Sequence, residues 1–391
     1  MAAKQVTRVP IVKASVYQAS DDPTRLIPDD SYGHFGEIIK PKYDPKIWSD
    51  MLAQSSRLSR SIRVVARNTV GLGHFYVPCR CEDDLTAAER EQFKREADDL
   101  ELLFDAPNDE QSLAELMECV KIDEEATGDG WLEIVRDRRA KIAALYHAPA
   151  PTMRVGIRKT PVGNLLFVQV RAGGTRIRFF RPFGDSSIVD PATGREAKLA
   201  PELRASEILH FRIYAPDDDY YGSPRWVSAS PAIQAARLAA HWNGNFLRNS
   251  AHVPHAIIVE GGNLSAESRK LVTELIDREG KGIPNAGRML VLEPELEQVP
   301  AAARAAIRIR LEKLSVGIPD DGSFLKLTSA SNEEVREVLG TAKIMLGTFD
   351  DANKSNAVIA LRITIQQEIE PDIRRIEHRL NRTIVRDLGA K

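Results

Sequence analysis

The chain has 391 residues, enough for two or three folded units. Its 54 basic and 56 acidic residues leave a net charge of −2, which excludes a protein that grips nucleic acid through many phosphates across its whole surface. Cys79, Cys81 and Cys119 are too few for a disulfide framework, and no apolar run reaches the ~20 residues of a membrane-spanning helix.

Residues 1–44 are polar and broken by Pro10, Pro23, Pro28 and Pro41, which predicts an extended arm that orders against a neighbour. They lack the apolar core of a secretory leader, so a soluble, intracellular product is expected. Residues 45–68 repeat Trp48, Leu52, Leu58, Ile62 and Val65 at helical spacing. Gly71 and Gly73 end that pattern, and His74 to Val77 reads as a short strand. Helices are expected over 85–104 and 113–126, then a strand over 131–135 after Gly128 and Gly130. The next stretch is β-rich, with strands predicted over 143–147, 165–170, 176–180 and 208–214 and a surface excursion over 188–200.

A long helical rod follows over 224–249, about 39 Å if unbroken. Ser223 and Pro224 suit its first turn, and Pro231 predicts either a kink or a restart capped by Ser230. Ala235, Leu238, Trp242 and Phe246 form one stripe, with Arg237 and Arg248 away from it. Gly244 weakens a solitary helix by about 1 kcal/mol, so packing must offset it. Residues 256–292 read as a strand–helix–strand unit, and 301–314 as a basic helix. Helices are expected over 331–346 and 355–370, with the polar loop Gly-Thr-Phe-Asp-Asp-Ala-Asn-Lys between them. Pro371 is expected to break the second and open a third over 372–388.

Catalytic signatures are missing. There is no phosphate-binding Gly-Lys loop, no Gly-x-Ser-x-Gly and no His-Glu-x-x-His. His252 and His255 flank Pro254, a distorted spacing for a metal, and the acidic runs at Asp217–219 and Asp350–351 read as solvated loops. Arg374, Arg375, Arg379, Arg382 and Arg386 alternate with Glu377 and Asp387, which predicts an ion-paired helix face. No enzyme activity, cofactor or metal is expected.

The order of pieces carries a resemblance. Thr127-Gly128-Asp129-Gly130-Trp131 precedes Tyr221-Gly222-Ser223-Pro224 and a helix ending in Phe246-Leu247-Arg248-Asn249. Asn285-Ala286-Gly287-Arg288 and the tail Ile369-Glu370-Pro371-Asp372-Ile373 follow. In this series the chain resembles the portal proteins of tailed bacteriophages, in the compact siphovirus-like branch. The resemblance implies an α+β portal-type fold. Residues 1–44 would form an arm, 45–222 a mixed α/β wing, 223–250 the first stem helix and 251–329 a small α/β clip with an extended excursion. Residues 330–347 would form the second stem helix, 348–356 a tunnel loop, and 357–391 C-terminal helices with a minimal crown.

It also implies a dodecameric ring at one capsid vertex, in the virion after assembly in the host cytoplasm. Double-stranded DNA would pass through the ring, and the major capsid protein, the terminase large subunit and a head–tail adaptor would dock on it. Asp350, Asp351, Asn353 and Lys354 become channel candidates, and Arg237, Trp242, Phe246 and Arg248 stem or interface candidates. The competing readings are a nucleic-acid-processing enzyme with unfamiliar site residues and a plain cytosolic oligomeric scaffold.

Overall fold

The computed structural model describes residues 38–78, 85–157, 165–171, 176–248, 255–260, 270, 308–313, 324–348 and 354–389. The chain divides into two compact units. The first takes Met1–Ala53, Ala66–Pro224 and Ile373–Lys391; the second takes Gln54–Val65 and Arg225–Asp372. The fold is of the α+β class.

The first unit is built on a seven-stranded sheet. Its strands are β1 (Ile38–Ile39), β2 (Asp129–Arg136), β3 (Ile142–His147), β4 (Met153–Ile157), β5 (Leu165–Arg171), β6 (Arg176–Pro182) and β7 (Glu207–Arg212). Their order is β1-β4-β5-β6-β7-β2-β3. Every pair is antiparallel except β6 with β7, where Arg181 faces Glu207. The outer edge of β3 is closed by the chain itself. Leu145 N–H donates to Pro107 O at 2.7 Å, and Asn108 Nδ2 donates to Leu145 O at 2.9 Å. A covered edge cannot recruit a stray strand.

The helices ahead of this sheet are α1 (Pro45–Gln54), α2 (Ser56–Val70), α3 (Ala87–Asp105) and α4 (Leu113–Thr127). Both α3 and α4 begin with reciprocal caps that the residues spell out. The Thr86 and Ser112 hydroxyls accept from the N–H of Glu89 and Glu115, whose carboxylates accept from the cap N–H at 2.8 and 2.9 Å. Ser112→Ala should therefore cost about 1 kcal/mol in urea unfolding. Leu113, Leu116, Met117 and Val120 recur at helical spacing, and they bury against Leu132, Ile134, Leu145, Leu209 and Phe211 of the sheet. On the opposite face Trp131, Met153, Phe167, Phe180, Ile208 and Tyr221 form a second core. The period-2 alternation of β2 puts Leu132 and Ile134 in one core and Trp131 in the other.

The second unit contains α5 (Ser230–Arg248), the hairpin of β8 (His255–Glu260) with β9 (Arg308–Lys313), α6 (Leu325–Val338) and α7 (Lys354–Thr364). A last helix, α8 (Glu370–Leu380), carries the chain back into the first unit.

Several expectations are corrected. Ile38–Ile39 of the expected arm is a strand of the chain's own sheet, paired with Gly156 and Val155. His74–Val77 takes no strand assignment, whereas Met153–Ile157 does. That strand lies between β1 and β5, and its Met153, Val155 and Ile157 alternate with Arg154 and Gly156, but Pro149, Pro151 and the internal Gly156 read in the sequence as loop punctuation. The excursion after β6 is not all surface: Val189 is fully buried with Leu166 and Ala205.

Residues 308–313 are a strand, not part of a basic helix, because Ile309 and Leu311 alternate with Arg308, Arg310 and Glu312. The helix expected over 331–346 starts earlier, at Leu325, and ends at Val338. Gly340 turns left-handed there (φ 61°), and Lys343–Leu346 form a separate 3₁₀ turn. At Pro231 the second of the two expected alternatives holds: a 3₁₀ turn over Arg225–Ala229 precedes it and α5 restarts at Ser230, so no helix is broken there.

Pro371 does not break the backbone either. A π turn at Ile365–Ile369 comes first, and Glu370 N–H bonds back to Ile365 O, five residues earlier. Widening the ladder there lets the ring of Pro371 sit inside helical backbone. Residues 261–269 and 271–307, which hold the expected clip helix and the strand 289–292, lie outside the described residues.

Candidate functional site

Two glycine turns cross where the chain leaves the sheet of the first unit. Gly128 ends α4 in the left-handed conformation (φ 89°), and its N–H donates to Glu124 O at 2.8 Å. Its own carbonyl accepts from Ile213 N–H at 2.9 Å. Asp129 Oδ1 then accepts from Gly222 N–H at 2.9 Å and from His210 Nε2 at 2.8 Å. The His210 ring lies flat on Trp131 at 3.7 Å and meets the edge of Phe167. Tyr221 donates its hydroxyl to Ile39 O at 2.7 Å and accepts from Val155 N–H at 2.8 Å.

The backbones touch so closely that a Cβ on Gly222 would stand 2.0 Å from Gly128 O. Thr-Gly-Asp-Gly-Trp and Tyr-Gly-Ser-Pro are thus two halves of one junction. The acidic run belongs to it. Asp218 Oδ1 accepts from the N–H groups of Tyr220 and Tyr221 at 2.8 and 2.9 Å, Asp217 pairs with Lys42, and Asp219 O accepts from Arg212. These residues build a turn and do not start a helix.

Buried charges tie the tail of the chain to this unit. Lys121, Glu124 and Glu125 are fully buried on α4, with Lys121 Nζ at 3.0 and 2.7 Å from the two carboxylates. Arg375 of α8 forks onto Glu124 at 2.7 and 2.8 Å. Burial works against the Glu124 carboxylate, but Lys121 and Arg375 outweigh it and hold its pKa below the usual value. Glu207 is held from two sides, by Arg181 at 2.8 Å and Arg136 at 2.9 Å, and Arg136 also reaches Asp387 at 2.7 Å. Burial opposes the Arg136 charge, yet its bonds to Asp387 and Glu207 carry its pKa upward. Arg375 and Asp387 of the tail therefore pair across the fold. An intrahelical ion-paired face was expected, but Arg375 and Asp387 find partners 251 residues away.

In the second unit α5 packs along α6. Ile233, Ala239 and Val335 are buried, and Trp242 meets the Phe324 ring edge-on at 5.2 Å. The stripe expected to pack is only partly covered in the single chain: Leu238 is 68% exposed, and Trp242 remains 39% exposed beside Phe324. Arg237 on the same helix is half-buried. Leu325 and Leu327 of α6 and Val358, Ile359 and Ile363 of α7 are exposed as well. The bend at Gly340 is clasped from within this unit. Thr364 Oγ1 donates to Gly340 O at 3.2 Å, and Glu368, paired with Arg225, lies where a Gly340 side chain would project.

Of the channel candidates, Asp350, Asp351 and Asn353 lie outside the described residues, and Lys354 is the first residue of α7. Phe246 and Arg248 are in the last turn of α5, but their side chains are outside the description, as is that of His255. Among the described residues no three histidine, cysteine or acidic groups gather into a metal site. His210, Asp129, Glu124 and Arg375 carry the junction and the tail; in the sequence the glycine motif marked Asp129 and the run of tail arginines marked Arg375, while His210 and Glu124 carried no signal.

The model of the phage portal protein family matches residues 62–391, and the chain belongs to that family. Among its relatives is the uncharacterized protein YqbA of Bacillus subtilis (strain 168), 26% identical over 420 residues that cover 96% of this chain and 79% of YqbA. Another is XkdE of the phage-like element PBSX in the same strain, 24% identical over 412 residues, covering 98% and 82%. The fold is shared with a chain of the native gene transfer agent virion (TM-score 0.55, 22% identity, 91% of this chain and 84% of that one). It is also shared with a chain in the neck of the native gene transfer agent particle computed with C12 symmetry (TM-score 0.53, 22% identity, 92% and 86%).

Proposed function

We propose that this portal-family protein assembles as a twelve-copy ring at one capsid vertex. The ring is the channel for packaging and ejecting double-stranded DNA. It is also the surface on which the terminase large subunit docks during packaging, a head–tail adaptor afterwards, and the major capsid protein around it. The observation that carries this reading is the apolar surface of the second unit. Leu238, Trp242, Leu325, Val358 and Ile359 are exposed on three helices of one chain, apolar side chains that contacts between copies would cover. The C12 symmetry computed for the neck of a gene transfer agent particle supports the copy number. Near-neutral composition suits a channel that must pass DNA without holding it, because affinity climbs steeply with each phosphate neutralised.

In this reading residues 45–222 are the wing, α5 and α6 the stem helices, the β8–β9 hairpin part of the clip, and residues 348–356 the tunnel loop. Arg237, Trp242, Phe246 and Arg248 then belong to the contacts between copies.

Two measurements test it. Leu238→Asp is expected to abolish ring assembly by mass photometry while leaving the thermal midpoint of the monomer nearly unchanged, because exposed positions tolerate substitution within about 0.5 kcal/mol. Rings that assemble normally from this variant would move the interface elsewhere. Replacing Asp350, Asp351 and Lys354 together by alanine is expected to change DNA packaging or retention with rings intact. Loss of assembly instead would make that loop an interface.

A further inference from the structure

The first unit has an open apolar groove that its own described residues leave unfilled. It encloses about 690 Å³, between Gly73–Pro78 on one side and α3, α4 and α8 on the others. Tyr76, Phe93, Leu100, Met117, Leu380 and Val385 line it, and it opens directly onto the larger core. At its mouth Phe75 is 83% and Val77 67% exposed. Among the described residues no hydrogen bond reaches the backbone of Phe75 or Val77. An irregular segment with free backbone groups beside an apolar trough is the arrangement to which a β-strand is added.

The charges that line the groove itself balance, Glu96 and Glu377 against Arg382 and Arg386, but one of its walls is acidic. Helix α3, one wall of the groove, carries seven acidic residues against three basic ones. The Tyr76 hydroxyl is pushed up to about 12, first by burial and then by the charges of Glu101 and Asp105.

One segment of this chain outside the described residues has the matching chemistry. Residues 4–17 read Lys-Gln-Val-Thr-Arg-Val-Pro-Ile-Val-Lys-Ala-Ser-Val-Tyr, with three basic residues, no acidic ones, and β-prone Val6, Val9, Ile11, Val12 and Val16. It joins the sheet through β1 at Ile38. The 20 residues between, 18–37, reach up to about 66 Å, further than the width of a compact unit of this size. A tether of that length holds the segment near the groove at roughly millimolar effective concentration.

We propose that residues 4–17 dock intramolecularly in this groove, adding a strand beside Gly73–Pro78 and inserting apolar side chains between α3 and α8. The inference does not rest on the ring or on DNA.

Hydrogen exchange on the full chain and on a variant lacking residues 2–20 tests it. Deletion is expected to raise exchange at least tenfold at residues 74–77. Equal exchange in the two proteins would overturn the proposal. A second measurement fixes the source. In a background with Cys79→Ser, Cys81→Ser and Cys119→Ser, oxidation of the pair Val9→Cys and Phe75→Cys is expected to give a cross-linked product of single-chain mass. A ladder of covalent oligomers would assign the segment to another copy, and no cross-link would leave the groove to a foreign partner; either overturns intramolecular docking.

Discussion

Gly222→Ala should cost the first unit about 3–5 kcal/mol, enough to remove most soluble, cooperatively melting protein. The added methyl would stand 2.0 Å from Gly128 O and 2.9 Å from Ile213 O, and both are backbone atoms fixed by the sheet and by α4. No rotamer relieves such a contact. Separating the turns would also break the bond from Gly222 N–H to Asp129 that fixes where the chain exits. Gly128→Ala should act in the same direction, since its Cβ would lie 2.4 Å from Gly222 C at a φ of 89° that side chains rarely adopt. Gly244→Ala is the control. Nothing lies within 4 Å of a side chain there, so it should stabilise α5 by about 0.5–1 kcal/mol. Thermal or denaturant melts of the three variants read these differences. Equal stability of Gly222→Ala and the parent would mean that the turns do not cross.

Arg375→Ala is expected to destabilise by about 3 kcal/mol, near the low end for a broken buried pair because the guanidinium is partly exposed. It leaves Glu124 buried, sharing Lys121 with Glu125. The loss should appear as release of the C-terminal segment, read by hydrogen exchange at Ile376 and Ile384, which pack into the core beneath it. The pH dependence follows from the sign of the shift. The Glu124 pKa is lower folded than unfolded, so the unfolded chain binds the proton first. The stabilisation is complete above the usual carboxylate value of about 4.3 and disappears as pH falls through the lowered folded value. The parent should therefore lose more stability than Arg375→Ala between neutral pH and that acid window. Identical acid profiles would show that Arg375 does not hold the carboxylate ionised.

Local signals were legible where the physics is local. Thr86 with Glu89 and Ser112 with Glu115 announce their helix starts, because a capping box needs only four residues. Strands β2, β3, β5, β6 and β7 follow from β-prone runs punctuated by glycine and proline, with clean alternation in β6. Strand β4 escaped because it is only five residues long, follows Pro149 and Pro151 and contains Gly156, so its alternation was read as loop, and β9 was mistaken for a helix although its six residues alternate cleanly.

Proline was read too literally at 371, since a π turn upstream can absorb it. The glycine motifs were visible, but their crossing was not: Gly128 and Gly222 are 94 residues apart, and a spacing along the chain does not say which backbones touch. The same holds for Arg375 with Glu124 and Arg136 with Asp387. A helical pattern shows which face an arginine occupies, and the partner on that face is chosen by topology. The partly covered stripe of Leu238 and Trp242 is the reverse case. Its apolar character is plain in the sequence, but only the fold reveals that α6 covers the other side of the helix.

Electron microscopy of the purified full-length protein is the most direct test of the ring. Class averages should show closed particles with twelve-fold symmetry and a central hole wide enough for duplex DNA, formed without nucleotide or nucleic acid. Monomers, open filaments or closed particles with no hole would contradict the account.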